Sequence, residues 1–212
     1  METRMREIVS GKHKHVKLGI IPGHFATNHS HVNYYVDLTK MKKKLKNAKE
    51  AAIELDTIYS GTPIDTIVCL EGTQMIGAFL AEALSDGSTH AINYGNDICV
   101  ITPELDSNNQ MIFRDDTQPM VWNKRVLLLV SNASTGWTVN KSMECLKYYN
   151  GNLVGVAALF SAAKEVGGVK INALFTTEDI PDYESHSPAD CPMCKAQQKV
   201  DALINAYGYS KI

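Results

Sequence analysis

The sequence predicts an α/β fold with a central, mostly parallel sheet flanked by helices. Short runs of apolar residues, typical of buried strands, alternate along the chain with segments whose apolar residues recur every three or four positions, as in amphipathic helices. A helix between two strands returns the chain to the same end of the sheet, so the strands run parallel. We therefore expect about five strands covered by helices on both faces.

Length and composition fit one domain of an ordinary globular protein. The chain has 212 residues, of which 44% are hydrophobic and 21% charged, and its net charge is −2. This charge gives no general attraction to nucleic acid or to an anionic membrane. No apolar run approaches the ~18 residues of a membrane span, and the N-terminus lacks a signal-peptide pattern. Five cysteines, an odd number, favour a reducing compartment, so we expect a cytoplasmic protein.

The predicted elements follow one another along this single domain, 1–212. We expect a small N-terminal hood over 1–38, an α/β core over 39–176, and a C-terminal segment with a CxxC motif and a helix over 177–212. Strands are predicted at 65–70, 96–101, 126–130, 153–160 and 171–176. Helices are predicted at 40–59, 74–84, 137–149 and about 193–207. A possible hairpin arm lies at 111–114.

A lysine-rich stretch lies on the first predicted helix, at 42–44 with Lys46 and Lys49. Apolar residues from Met41 to Tyr59 recur at spacings of three and four on its opposite face. The lysines are compatible with a phosphate or RNA patch, but a solvated helix face is the more common use of such a pattern.

Two loops are expected at one edge of the sheet, because ligands of parallel sheets bind beyond the carboxyl ends of the strands. These loops span 71–74 and 131–138. In the second loop, hydroxyls of Ser134, Thr135 and Thr138 and successive backbone amides stand at a helix N-terminus, which favours an anion. Gly136 would allow close approach. Helix capping by serine and threonine is the alternative, and the local sequence leaves both open.

An apolar strand that ends in Ser134-Thr135-Gly136-Trp137-Thr138 resembles the loop of type I phosphoribosyltransferases that binds phosphoribosyl diphosphate (PRPP). Residues 65–74 resemble the strand and pyrophosphate loop of this family. HFATNHSHVNYYVDL, at 24–38, resembles the N-terminal segment of orotate phosphoribosyltransferases. The resemblance covers about residues 20–176.

The resemblance implies a function and a set of site residues. Family enzymes displace pyrophosphate from PRPP with a nitrogen base, helped by Mg²⁺, and are usually homodimers. The phosphate loop would comprise Ser131, Asn132, Ser134, Thr135, Gly136, Trp137 and Thr138. The pyrophosphate loop would comprise Glu71, Gly72, Thr73 and Gln74. The hood over a pyrimidine-type base would contain Phe25, His29, His31 and Tyr35.

Two positions depart from the family pattern. The family places two adjacent acidic residues at the end of the strand before the phosphate loop, whereas this chain has Val130 and Ser131 or, shifted by one, Ser131 and Asn132. Ser131, Asn132 or Glu71 would replace those acids. The basic flexible loop of orotate enzymes matches 102–123, where Arg114 is the single cation and the candidate catalytic residue. A non-catalytic regulatory protein that binds PRPP or a nucleotide is the alternative.

The CxxC motif of Cys191 and Cys194 is a candidate for a structural zinc site. His186, Asp190 or a partner subunit would complete the ligands, and a turn with reduced thiols is the alternative. The histidine pairs at 13 and 15 and at 29 and 31 are interpreted as surface or hood residues rather than metal ligands. The other three cysteines lie in apolar patterns and are expected in the core: Cys69, Cys99 and Cys145.

Overall fold

The computed structural model of this chain describes residues 2–86, 91–107 and 110–212. The helices of this part are α1 Thr39–Lys43, α2 Leu45–Tyr59, α3 Gln74–Ser85, α4 Trp137–Tyr148 and α5 Pro192–Lys195, with 3-10 turns at Glu2–Arg4 and Gln118–Met120. The strands are β1 Arg6–Val9, β2 Lys17–Ala26, β3 His31–Asp37, β4 Thr66–Cys69, β5 Cys99–Ile101, β6 Glu104–Leu105, β7 Met111–Ile112, β8 Arg125–Ala133, β9 Asn152–Ser161, β10 Glu165–Val166, β11 Val169–Thr176, β12 Ser185–His186, β13 Ala202–Asn205 and β14 Gly208–Lys211.

The central sheet has the order β10-β11-β9-β8-β4-β5. All of its pairs are parallel except β10 with β11, an antiparallel edge. This arrangement confirms the predicted mostly parallel sheet. The expected hairpin near residue 111 is also present, because β6 pairs antiparallel with β7.

Strand β8 lies at the centre of two apolar layers. Successive side chains of a strand point to opposite faces. Leu127 and Leu129 accordingly pack into the cluster that contains α2 and α3, whereas Leu128 and Val130 pack into the cluster that contains α4. All four are fully buried, and each contributes about 1.5–3 kcal/mol relative to exposure. The continuous apolar run in the sequence thus reflects burial on both faces.

The amino ends of β4 and β8 are joined by an ion pair. Asp65 accepts hydrogen bonds from Nη2, Nε and the main-chain N–H of Arg125 at 2.6, 2.9 and 2.8 Å. These bonds from Arg125 lower the pKa of Asp65 to about 2, against a smaller opposing effect of burial. The two strands are therefore fixed in register at the end of the sheet opposite the predicted loops.

A second sheet forms the hood, with the order β12-β3-β2-β13-β14. Strand β1 pairs with the first half of β2 on the edge opposite β3, the same edge that pairs with β13 further along. Its small core contains Ile21, Phe25 and Val32 from the N-terminal strands and Ala202 from β13. Strand β13 runs parallel to β2, with Ala202 opposite Phe25. The hood is thus built from both the N-terminal and the C-terminal parts of the chain.

The predicted C-terminal helix over 193–207 is wrong in extent. Helix α5 ends at Lys195, shortly before Gln197 adopts a left-handed φ of 56°. The chain then forms the hairpin of β13 and β14, in which Ala202 pairs with Lys211. Pairing with β2 stabilises a strand rather than a helix here. Local periodicity gives no sign of such a long-range contact.

The predicted helix over 40–59 is broken in two at Lys44, which has extended backbone with ψ 124°. The break turns Lys42 inward, so that it is only 8% exposed, and the expected solvated face is wrong for this residue. The prediction is confirmed for Lys43, Lys46 and Lys49, which are exposed. Within the described ranges, every helix is too short or too polar to cross a membrane.

Candidate functional site

A cavity of about 390 Å³ lies between the carboxyl edge of the central sheet and the hood. The loops after β4 and β8 form its floor, as expected for a parallel sheet. The hood provides one wall through 27–30 and β3, and the turn between β13 and β14 provides another through 204–208. Leu105 and Met111 of the β6–β7 hairpin complete the lining.

Glu71 places a carboxylate at the end of β8. The loop after β4 turns sharply, with left-handed φ angles of 58° at Glu71 and 82° at Gly72. Oε2 of Glu71 accepts hydrogen bonds from Oγ of Ser131 at 2.6 Å and from the main-chain N–H groups of Ser131 and Asn132, both at 3.2 Å. Because all three bonds go to Oε2, Oε1 is available to a ligand. A negative charge thus lies beside the two positions that depart from the family pattern.

Asn132 contributes an unpaired acceptor to the same corner. Its side-chain Oδ1 is buried and has no hydrogen-bond partner among the described residues. Leaving such a group unpaired costs about 1–3 kcal/mol. A ligand hydroxyl or a cation at this position would recover that free energy.

The phosphate-loop residues Ser134, Thr135, Trp137 and Thr138 all line the cavity. A smaller concavity of about 30 Å³ lies within the loop itself, lined by residues 132–139. Helix α4 starts after Gly136, and no side chain caps it. The capping alternative is therefore wrong for this helix, and the N–H groups of its first turn are directed at the loop.

The structure explains why position 136 is a glycine, which the sequence alone did not. Its φ is 74°, a left-handed conformation that favours glycine, and an added Cβ would clash with Val166 of β10. The missing side chain therefore serves packing against the sheet edge. Trp137, the next residue, packs its ring against His29 of the hood in a tilted arrangement, with centroids 4.8 Å apart and an interplanar angle of 33°. This contact joins the phosphate loop to the hood.

Aromatic side chains line the hood side of the cavity: Tyr34, Tyr35, Tyr183 and Tyr207. Burial raises the pKa of Tyr35 to about 12, so that its hydroxyl stays protonated and neutral. Phe25, in contrast, is fully buried in the hood core, and His31 faces away from the cavity towards His24. Of the four predicted hood residues, His29 and Tyr35 line the cavity.

Lys42 lies on the cavity wall, although the sequence analysis did not predict it as a site residue. Its Nζ donates hydrogen bonds to the main-chain oxygens of Glu71 at 3.0 Å and of Ala206 at 2.6 Å. Burial lowers the pKa of Lys42, an effect that the nearby charge of Glu71 partly opposes. No local signal marks this lysine, because its inward direction depends on the helix break at Lys44.

Arg114 does not line the cavity. It is exposed, and its guanidinium pairs with Glu104 at 2.6 Å. In the pyrophosphate loop, Glu71 lines the cavity, whereas Gly72, Thr73 and Gln74 do not. Thr73 instead donates its hydroxyl to the main-chain oxygens of Leu70 and Leu129, which fixes the loop to the two strands.

Cys191 and Cys194 lie outside the cavity, next to two histidines of the hood. The ligand atoms of His24, His31, Cys191 and Cys194 are all within 4.8 Å of one another. The two partners suggested by the sequence lie elsewhere, since His186 contacts Glu184 at 3.0 Å and Asp190 contacts Ser187 at 2.8 Å. The chain separation of His24 and Cys191 explains why no spacing motif showed this cluster.

Sequence comparison finds no matching family model and no matching curated protein. Solved structures do match. A phosphoribosyltransferase from Corynebacterium diphtheriae shares 18% identity over 76% of this chain and 90% of its own, with a TM-score of 0.52. An orotate phosphoribosyltransferase from Mycobacterium tuberculosis, in complex with inorganic phosphate, shares 17% over 70% and 80%, with a TM-score of 0.51. An adenine phosphoribosyltransferase from Thermoanaerobacter pseudethanolicus shares 17% over 82% and 96%, also with 0.51. The chain therefore has the phosphoribosyltransferase fold.

Proposed function

We propose that this protein, on its phosphoribosyltransferase fold, transfers a phosphoribosyl group from PRPP to a pyrimidine-type base such as orotate. The observation that carries the proposal is the carboxylate of Glu71 beside Ser131 and Asn132. The resembled family keeps acidic residues at this point to bind ribose hydroxyls and to stabilise positive charge on the ribose. Glu71 contacts this point from the loop after β4, so a carboxylate is present there although the motif lacks one.

Each wall of the cavity has a role in this reaction. The loop hydroxyls of Ser134, Thr135 and Thr138 and the first amides of α4 would hold the 5-phosphate. Oε1 of Glu71 and Oδ1 of Asn132 would accept the ribose hydroxyls. The tyrosines of the hood offer flat apolar faces and hydroxyl groups to the base. The volume of about 390 Å³ falls within the range of small-molecule sites.

Transfer breaks the bond between ribose C1 and the pyrophosphate oxygen, and the bonding electrons leave with pyrophosphate. The lone pair of a base nitrogen forms the new bond to C1, and that nitrogen gives up its proton to solvent. Positive charge develops on the ribose and negative charge on the leaving group. Glu71 would stabilise the first charge, and Lys42 would stabilise the second.

The residues of this corner suit the Mg²⁺ that the resemblance implies. Mg²⁺ prefers oxygen ligands and is usually bound by one or two carboxylates together with substrate phosphates. Glu71 offers a carboxylate oxygen and Asn132 an unpaired amide oxygen. When bound, Mg²⁺ would neutralise charge on the leaving pyrophosphate.

A second function is a regulatory protein that binds PRPP or a nucleotide without turnover. The observation that favours it is the small number of cations around the cavity. Among the described residues, Lys42 and Lys141 are the only lysines or arginines in the lining, and Arg114 is held outside by Glu104. Leaving-group stabilisation would then be weak, whereas ribose and phosphate binding would remain.

Calorimetric titration with PRPP, with and without Mg²⁺, followed by a pyrophosphate-release assay tests both functions. We expect micromolar binding and turnover with orotate that exceeds turnover with adenine or hypoxanthine. Thr135→Ala should weaken PRPP binding, whereas Thr57→Ala, on the exposed face of α2, should not. Binding without turnover of any common base would select the regulatory function, and no binding at millimolar PRPP would refute both.

We also propose a homodimer in the cytoplasm. We infer the dimer from the resembled family, whose members are usually homodimers. Light scattering of the purified chain tests it. The location is supported by the five cysteines, all of which are free thiols. Fluorescence microscopy of a tagged chain would test the location.

A further inference from the structure

We propose that four side chains bind one structural zinc ion: His24, His31, Cys191 and Cys194. The two histidines flank the hood turn 27–30, since His24 lies in β2 and His31 begins β3. The two cysteines lie at the start and within the short helix α5. The site would therefore join the hood hairpin to the C-terminal segment.

The distances suit a tetrahedral ion. Nε2 of His24 lies 3.0 Å from Nδ1 of His31 and 3.5 Å from Sγ of Cys191. Sγ of Cys194 lies 3.7 Å from the same Nε2 and 3.2 Å from Nδ1 of His31. Tetrahedral zinc with ordinary Zn–N and Zn–S bonds places neighbouring ligand atoms about 3.3–3.8 Å apart. Small movements of the side chains are enough to admit the ion.

The surroundings hold the first histidine in the tautomer that a metal requires. Nδ1 of His24 lies 2.9 Å from the main-chain oxygen of Gln198, so this nitrogen carries the proton and donates it. Nε2 is then unprotonated, and its lone pair lies among Nδ1 of His31 and the two thiols. A ring N–H bound to a backbone carbonyl is the usual support of a metal-binding histidine. Asp201 also fixes the backbone, because it accepts a hydrogen bond from the N–H of His24 at 3.0 Å.

The ligand set distinguishes zinc from other uses of the same residues. Two thiolates and two imidazoles with a Cys-x-x-Cys spacing are typical of structural zinc, and all four protein positions are filled, which leaves no open position for a substrate. Cys191 and His24 are both fully buried, and the cluster does not line the cavity. A nucleophilic or redox role of Cys191 would need access to a substrate, which its burial does not provide, whereas Cys194 is exposed.

The proposed ion would hold two walls of the cavity in place. The turn 27–30 carries His29, which packs against Trp137. The segment after α5 leads into β13 and β14, whose turn at 205–208 also lines the cavity. Because zinc binding to such sites contributes directly to folding, loss of the ion should loosen the hood before the central sheet.

Zinc content of the purified full chain, made without a polyhistidine tag, is the direct test. We expect about one zinc per chain by elemental mass spectrometry. The content should fall at least tenfold in Cys191→Ser and in Cys194→Ser. It should be unchanged in Cys99→Ser and in His186→Gln, which alter the same residue types outside the cluster.

Cobalt substitution keeps the test valid if a variant fails to fold. Chelator-treated wild-type chain titrated with Co²⁺ should develop intense visible bands of tetrahedral coordination and a thiolate charge-transfer band, with a stoichiometry of about one. The exposed Cys194→Ser variant should lose part of the charge-transfer band. A chain without zinc that also gives no tetrahedral cobalt spectrum would overturn the proposal, as would an intact mass that shows a Cys191–Cys194 disulfide. Neither result depends on PRPP binding or turnover.

Discussion

The two ends of the β4–β8 pair each bind a carboxylate, but with different kinds of hydrogen-bond donor. At each end a carboxylate that flanks β4 reaches a residue 60 positions later in the chain, Asp65 to Arg125 and Glu71 to Ser131. At the amino end a guanidinium cancels the charge, and the pKa of Asp65 falls to about 2. At the carboxyl end the three donors to the carboxylate are neutral, and the nearby cation, Lys42, bonds the main-chain oxygen of Glu71 rather than its carboxylate.

This difference separates a carboxylate that holds strands together from one that the proposed function assigns to a ligand. An ion pair with several hydrogen bonds fixes geometry but presents little net charge to its surroundings. Neutral donors fix geometry equally well, and they preserve the field that a developing cation needs. The register of β4 and β8 is the same for both, so the difference arises from the partner residue alone.

Glu71→Gln is expected to have the largest effect on function. The amide can still contact Ser131, but it removes the negative charge, so turnover should fall by about a hundredfold or more. Steady-state kinetics of pyrophosphate release measures this. Glu82→Gln, on the exposed face of α3, is the matched control and should keep full turnover. A Glu71→Gln variant with turnover close to wild type would break the comparison.

Asp65→Asn should act in the opposite way, on stability rather than on function. Partial exposure reduces the value of the pair, so we expect a loss of about 1 kcal/mol in the free energy of unfolding at pH 7. The folded pKa of Asp65 lies below its usual 3.8, so this contribution is full above pH 4 and disappears as the pH falls to about 2. Urea unfolding at several pH values measures the difference between variant and wild type.

The same variant should keep its PRPP affinity and turnover within about twofold, because the pair lies at the far end of the strands. Turnover that falls as far as in Glu71→Gln would show that both carboxylates serve the same role. A stability difference that persists at pH 2 would show that the charge of Asp65 is not its source.

Lys42→Met tests whether the positive charge of Lys42 partly compensates the negative charge of Glu71 at the carboxyl end of the strands. The variant loses the two hydrogen bonds to Glu71 and Ala206 and the only buried cation of the described lining. The variant would also lose a charged hydrogen bond from Nζ to a PRPP phosphate, which is worth about 1.5–3 kcal/mol. Because neighbouring groups can partly replace this bond, we expect PRPP affinity to fall by about tenfold. Lys43→Met, at the exposed neighbour, should bind PRPP as wild type does. Titration calorimetry compares the two variants.

Ser131→Ala should have the smallest effect and sharpens the comparison. It removes the shortest of three hydrogen bonds to Glu71 but leaves both amides and the charge. We expect turnover to fall by about threefold to tenfold, in line with the loss of one ordinary hydrogen bond. A loss as large as that of Glu71→Gln would mean that orientation, rather than charge, is the main contribution of this corner.

The sequence predicted the sheet and the strand–loop–helix around 126–149 because both are local patterns, and phosphate binding by that loop stays a prediction. Local sequence is enough to predict the structure of an apolar run such as Leu127 to Val130 and of the Thr-Gly step after it. Residues that depend on distant contacts were missed. Lys42 turns inward only because the chain breaks at Lys44, and β13 forms only beside β2. His24 and Cys191 meet across nearly the whole chain, so neither is recognisable from its own neighbourhood.

The parallel pairing of β13 with β2 also orders events during synthesis. On the ribosome, β2 emerges early and the entire central sheet follows before Ala202 can reach Phe25. Until then the end of β2 at Phe25 and Ala26 stays open on the edge whose first half pairs with β1, and open strand edges are prone to pair with other chains. The nascent protein thus holds a nearly complete central sheet under an incomplete hood. If the proposed function holds, a closed ligand cavity and protection from aggregation would arise together, at the moment when β13 pairs with that edge.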